Sequence, residues 1–119
     1  MSEAPLGTTR SVVLGVSDFD EACRFFTQAL GFPLQFRDGS RWAQFSGGEV
    51  TIALAGNGEA PPGSVGLSIK CFDVDAAVTV LAEHGCRTLS SPKEGAHERR
   101  ATVATPLGPV LHLYTSRRD

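Results

Sequence analysis
The chain has 119 residues, 41% of them hydrophobic and 20% charged, with a formal net charge of −2; this suits one domain with a modest core. That balance leaves no basic footprint for nucleic acid, and no apolar run is long enough to span a bilayer. Three cysteines, Cys23, Cys71 and Cys86, with no CxxC pair, argue against a disulfide framework or a zinc site.

The opening "MSEAPLGTTR" has no apolar h-region, so no secretory signal is expected. The chain reads as cytoplasmic with reduced thiols. Residues 1–9 read as a tail, and a first module runs over residues 10–55. It begins with a strand in which Val12, Leu14 and Val16 alternate with Ser11, Val13 and Gly15. Ser17 or Asp18 then caps a helix whose apolar face is Phe19, Ala22, Cys23, Phe26 and Leu30. Gly31 and Pro33 stop it. "PLQFR", "SRWAQFS" and "EVTIALA" alternate as strands, and Gly47-Gly48 reads as a two-residue hairpin turn.

Residues 56–64, within "AGNGEAPPGS", form a Gly/Pro-rich linker. A second module follows over residues 65–115. "VGLSIKC" is its first strand, and Asp73 or Asp75 caps a helix with Val74, Ala77, Val78 and Leu81 on one face. Gly85 ends that helix. "CRTLS", "ERRATVAT" and "PVLHLYT" are three more strands, with "TPLG" as the last turn and residues 116–119 as a tail. The order strand–helix–strand–strand–strand thus occurs twice. Half of such a repeat cannot bury its own sheet face, so the expected fold is a single α+β domain of two modules.

The segments "VVLGVSDFDEACRFFTQALGF", "VGLSIKCFDVDAAVTVLAEHG" and "TPLGPVLHLY" resemble the vicinal oxygen chelate superfamily. That group includes glyoxalase I, extradiol dioxygenases, fosfomycin-resistance proteins and bleomycin-binding proteins. The last segment is similar to the family's Asp-Pro-x-Gly turn and the hydrophobic strand after it. The resemblance runs from about Arg10 to Thr115. It implies two βαβββ modules, mixed sheets curling around a cavity with the helices outside, and a homodimer. It is specific for fold and much less so for reaction, because one fold hosts many functions.

Strand alternation sorts the side chains between helix and cavity. The cavity sets are Ser11, Val13 and Gly15; Thr51, Ala53 and Ala55; Gly66, Ser68 and Lys70; and Val110, His112 and Tyr114. With a two-residue Gly47-Gly48 turn, Gln44 pairs Thr51 and Trp42 pairs Ala53, which adds Trp42 and Gln44. Pairing across "TPLG" sets Ala101 opposite His112 and adds Arg99, Ala101 and Val103, while Arg100 falls on the other face.

The resemblance implies that metal-dependent members carry His or Glu ligands at the positions of Ser11, Ala53, Gly66 and His112. Only His112 is a ligand type, and a transition-metal site needs about three. No metal and no other cofactor is therefore expected. His112 reads as a general base, a ligand contact or a pocket-wall residue. Tyr114 is a hydrogen-bond donor or a strand-end cover, and Trp42 a stacking platform or core filler. Arg99 is an anion partner or a solvated strand end. Small apolar walls with a few polar groups describe a small-molecule pocket. The expected function is a metal-free protein that sequesters or carries a small, partly apolar organic ligand, with a second copy of itself as partner and neither nucleic acid nor membrane. The alternative is a metal-independent acid–base enzyme, of isomerase or lyase type, using His112 and Tyr114. A metal-dependent lyase or dioxygenase is disfavoured by the ligand count.

Overall fold
Two aspartates start the two helices. Asp18 accepts a hydrogen bond from the Glu21 amide (3.1 Å) and Asp73 from the Ala76 amide (3.0 Å), each satisfying a donor that the first turn leaves open. The computed structural model describes residues 5–116. Its elements are β1 (Gly7–Gly15), α1 (Phe19–Arg24), β2 (Leu34–Asp38), β3 (Trp42–Ser46), β4 (Thr51–Ala55), β5 (Val65–Cys71), α2 (Val74–Glu83), β6 (Arg87–Glu94), β7 (Glu98–Ala104) and β8 (Val110–Ser116). The expected α+β order of two βαβββ modules is present. Residues 7–9 and Ser116, read as tail, are strand; the rest of the expected tails, at residues 1–4 and 117–119, lies outside the described residues. Among the described residues no helix is long and apolar enough to cross a membrane.

Ser11–Gly66 forms one compact unit, and the residues up to Arg10 and from Leu67 onward form the other. In the first, the strand order is β2-β3-β4-β1. β1 runs parallel to β4 with Val13 beside Ala53, and the other pairs are antiparallel. Phe19 and Cys23 of α1 pack on Ala43, Phe45 and Leu54, with Leu14 and Val16 alongside. α1 is shorter than its apolar spacing predicts. A π turn follows it at Phe25–Ala29, closed by Leu30 N–H to the Phe25 carbonyl (3.2 Å). The wider turn shifts the helical phase. Leu30, expected on the buried face, is 44% exposed, and Phe32 packs there instead.

The β3–β4 hairpin closes over residues 47–50, with Ser46 opposite Thr51 and the Gly47 N–H donating to the Val50 carbonyl (2.8 Å). Gly48 takes φ 97°, a left-handed conformation that glycine adopts without a steric cost. The expected two-residue turn is thus replaced by a longer one. The register moves by two residues, so every side chain keeps its face.

Residues 56–64 are no free linker. They lie as a strap on the face of β1 and β4 that is turned away from α1. Gly15 donates to the Ser64 carbonyl (2.9 Å) and accepts from Gly63 (2.8 Å), while Gly56 donates to Arg41 (2.9 Å). Arg41 pairs with Glu59 at 3.0 Å. Ala60 is buried with Val13, Ala53, Ala55 and Trp42.

In the second unit the order is β5-β8-β7-β6. Val74 and Ala77 of α2 pack on Cys71, Ala101, Val103 and Leu113, with Val78 and Leu81 half-buried beside them. Arg99 ties β7 to the first turn of α2 through two hydrogen bonds to Asp75, 2.7 and 2.9 Å, and reaches Glu94 at 3.2 Å. β6 is the edge strand of this unit, and its register shifts between Ser90 and Lys93. Pro92, which lacks an amide donor, is tolerated at such a bulge.

The Arg99 hydrogen bonds hold the Asp75 carboxyl below the ordinary carboxylate range. A depressed carboxyl contributes stability above its unfolded value and loses it as pH falls through the folded one. Asp75→Asn is therefore expected to lower the melting temperature at pH 7, and the gap from the native chain should close below about pH 4. Calorimetry across that range checks it. A Cβ on Gly15 would come within 2.1 Å of the Pro61 carbonyl oxygen. Gly15→Ala should therefore displace the strap at a cost of about 1–3 kcal/mol, read by urea denaturation together with faster exchange of the Gly63 amide.

Candidate functional site
In each unit the strands have one face on the helix and one turned away from it, and the buried polar side chains lie on the averted faces. Among the described residues these are Ser11, Ser68 and His112, at 4%, 6% and 9% exposure.

On the averted face of the first module the sequence expectation holds by side but not by openness. Val13, Ala53 and Ala55 face away from α1, but Ala60 and Trp42 pack on them, so these small residues form a core cluster. Trp42 belongs to that cluster. Gln44 lies opposite Ala53 on the same face, and its amide donates to Gln35 across the hairpin (3.1 Å). Gly66, at the end of this unit, is buried.

The second module differs from expectation by one residue. Ala104 pairs Val110, so the β7–β8 turn holds five residues, Thr105–Pro109. The Thr105 amide and hydroxyl both donate to the Pro109 carbonyl, at 3.0 and 2.8 Å. An odd shift reverses every side chain of β7. Ala101 pairs Leu113 and Val103 pairs Leu111, so both join the core under α2 rather than the expected pocket. Arg99 also leaves the expected pocket, because its guanidinium is held by Asp75 and Glu94. In their place, Thr102 pairs His112 and Arg100 pairs Tyr114. The signal for this was in the sequence: Pro109 has no N–H to give to the ladder, which favours keeping it in the turn.

The averted face of this module therefore carries two polar rows. His112 is opposite Thr102, which is opposite Ser90; Tyr114 is opposite Arg100, which is opposite Lys93. Ser68 lies on β5, next to β8 in the sheet, while the alternate residues Ile69 and Cys71 pack under α2. Lys70 is exposed. His112 Nε2 is buried and makes no hydrogen bond, while the residue keeps an interaction elsewhere. Burial pushes the Tyr114 phenol above its usual range, against the opposing pull of Arg10. At neutral pH the hydroxyl thus stays protonated and available as a donor.

Two of the three cysteines, Cys23 and Cys71, are buried. Burial raises the Cys23 and Cys71 thiols, which disfavours the reactive thiolate. An open groove of about 280 Å³ lies between α1 and β2, lined in part by Cys23, Thr27, Gln28 and Leu34. Both of its arginines are paired: Arg24 with Glu21, and Arg37 with Asp20, the latter also 5.1 Å over the Phe19 ring.

Of the four positions where the resemblance implies metal ligands, three carry no ligand side chain. Ala53 and Gly66 have no side-chain donor, and Ser11 is a neutral alcohol. Among the described residues no three His, Cys, Asp or Glu side chains gather as a ligand set.

Comparison with known proteins agrees with this architecture. A relative from Mycolicibacterium smegmatis, described as an uncharacterized protein, is 42% identical over 107 residues, covering 89% of this chain and 91% of its own. A glyoxalase/bleomycin resistance protein/dioxygenase superfamily member from Vibrio splendidus has a similar structure, with TM-score 0.64 and 17% identity, over 91% of this chain and 99% of that one. Methylmalonyl-CoA epimerase from Mycobacterium tuberculosis is similar in fold, with TM-score 0.63 and 19% identity, over 99% and 94% of the two chains. Residues 9–113 match the family described as the Glyoxalase/Bleomycin resistance protein/Dioxygenase superfamily. With its two βαβββ modules and a match over nearly its whole length, the chain belongs to that superfamily.

Proposed function
We propose that the protein is a metal-free binder of a small, partly apolar organic molecule, and that the averted face of the second module is where it binds. The observation that carries this reading is the pair of buried polar side chains, Ser68 and His112, on a sheet face turned away from the helix. A hydroxyl and an imidazole fixed among apolar side chains are groups that a partly polar ligand can address. Thr102 and Tyr114 add two hydroxyls beside His112. Val110, also buried, supplies an apolar wall on the same strand. The donor chemistry at Ser11, Ala53 and Gly66 supports a site that works without a metal.

A second reading, metal-independent acid–base chemistry at His112, is favoured by one observation: Tyr114 remains a proton donor two residues along the same strand face. The similar fold of an epimerase is compatible with it. His112 would then move a proton and Tyr114 would stabilise the developing oxyanion.

Protein purified without chelators is expected to hold well under one divalent ion per chain by elemental mass spectrometry; a stoichiometric ion would overturn the metal-free reading. His112→Ala is expected to weaken ligand affinity about tenfold, the scale of one lost hydrogen bond. Should the protein turn over a carbonyl substrate, and His112→Ala abolish turnover with little change in affinity, the acid–base reading would replace the binding one.

A further inference from the structure
We propose that residues 56–64 are a lid that lifts off the first module as one body, with the Arg41–Glu59 ion pair as its clasp. The inference is independent of the binding reading above. It concerns the motion of the strap and not the occupancy of a face.

The hold of the strap on the strands beneath it is shallow. Among residues 56–64 only Gly56 and Ala60 are buried, so a single methyl, that of Ala60, is packed into the cluster of Val13, Ala53 and Ala55. Segments with few buried apolar contacts open at a lower free energy than the core. The attachments lie toward two ends. Glu59 pairs with Arg41 at 3.0 Å near one. Near the other, Gly15 donates to the Ser64 carbonyl and accepts from the Gly63 amide. The span between them is stiff. Pro61 and Pro62 each lock φ, and the Ser64 amide donates to the Pro61 carbonyl (3.0 Å). A stiff span held at its ends passes the release of one end to the other.

The clasp lets go without stranding a cation. Arg41 has a second carboxylate, Asp38, 2.6 Å from Nη2 and 3.2 Å from Nε. When Glu59 leaves, the guanidinium stays paired and the Glu59 carboxylate passes into water. Breaking a pair so that one charge is left buried and uncompensated is strongly unfavourable; the presence of Asp38 avoids that penalty. The Arg41 side chain is 42% exposed and that of Glu59 17%, so the pair is open enough to respond to added salt. The groups uncovered by lifting Ala60 are small, apart from the indole of Trp42.

Amide hydrogen exchange by NMR tests the lid in the native chain, Glu59→Gln and Asp38→Asn, at low salt and at about 1 M salt, where exposed pairs are screened. The Gly15 and Gly63 amides report the lid, and the Leu54 amide, on the central strand β4, reports the module beneath. In the native chain Gly15 and Gly63 are expected to show equal protection, weaker than that of Leu54. Salt should speed both about two- to fivefold, the range of a partly exposed ion pair, and leave Leu54 unchanged. Glu59→Gln should give a similar gain at low salt and abolish the salt response. Asp38→Asn should speed neither amide, because the clasp itself is intact. Protection of Gly15 and Gly63 equal to that of Leu54 overturns the lid. The clasp is overturned if salt and Glu59→Gln leave both amides unmoved, or if Asp38→Asn speeds them as much as Glu59→Gln does.

Discussion
The five-residue turn Thr105–Pro109 sets the chemistry of the second module. Its two hydrogen bonds from Thr105 to the Pro109 carbonyl close the loop one residue later than a four-residue turn would. Because side chains alternate along a strand, that one residue decides which half of β7 meets α2. With Ala104 opposite Val110, Ala101 and Val103 fill the core beside Leu111 and Leu113. Thr102 and Arg100 are then left on the other side with His112 and Tyr114. Every role assigned to that face follows from this register.

The two modules share an architecture and use their averted faces differently. In the first, Ala60 of the strap packs on small residues of β1 and β4, and backbone hydrogen bonds through Gly15 and Gly56 hold the strap down. That face is largely a second core. In the second, the averted face bears hydroxyls, an imidazole and two cations in cross-strand order. Within this superfamily fold, the chain has placed packing on one averted face and polar chemistry on the other.

Much of this was legible in the sequence. Asp18 and Asp73 announce helix starts, Gly31 and Gly85 take positive φ where the helices stop, and the repeated strand–helix pattern predicts both modules. The faces of Trp42 and Gln44 also survive the reading, although the β3–β4 turn is longer than two residues. A two-residue change of register leaves the faces alone, whereas a one-residue change reverses them, so Arg99, Ala101 and Val103 lie on the face opposite to the one a four-residue turn predicts. The π turn at Phe25–Ala29 was hidden because a helical repeat read from apolar spacing assumes a constant pitch. The strap was hidden because Gly- and Pro-rich composition signals a turn-rich segment and says nothing of where it docks.

The most direct test of this account is the cross-strand contact pattern of β7 and β8 in the labelled protein, measured by nuclear Overhauser effects. Contacts between Thr102 and His112 and between Arg100 and Tyr114 would support it. Contacts of Ala101 with His112 and of Arg99 with Tyr114 would contradict it and return Arg99 to the averted face.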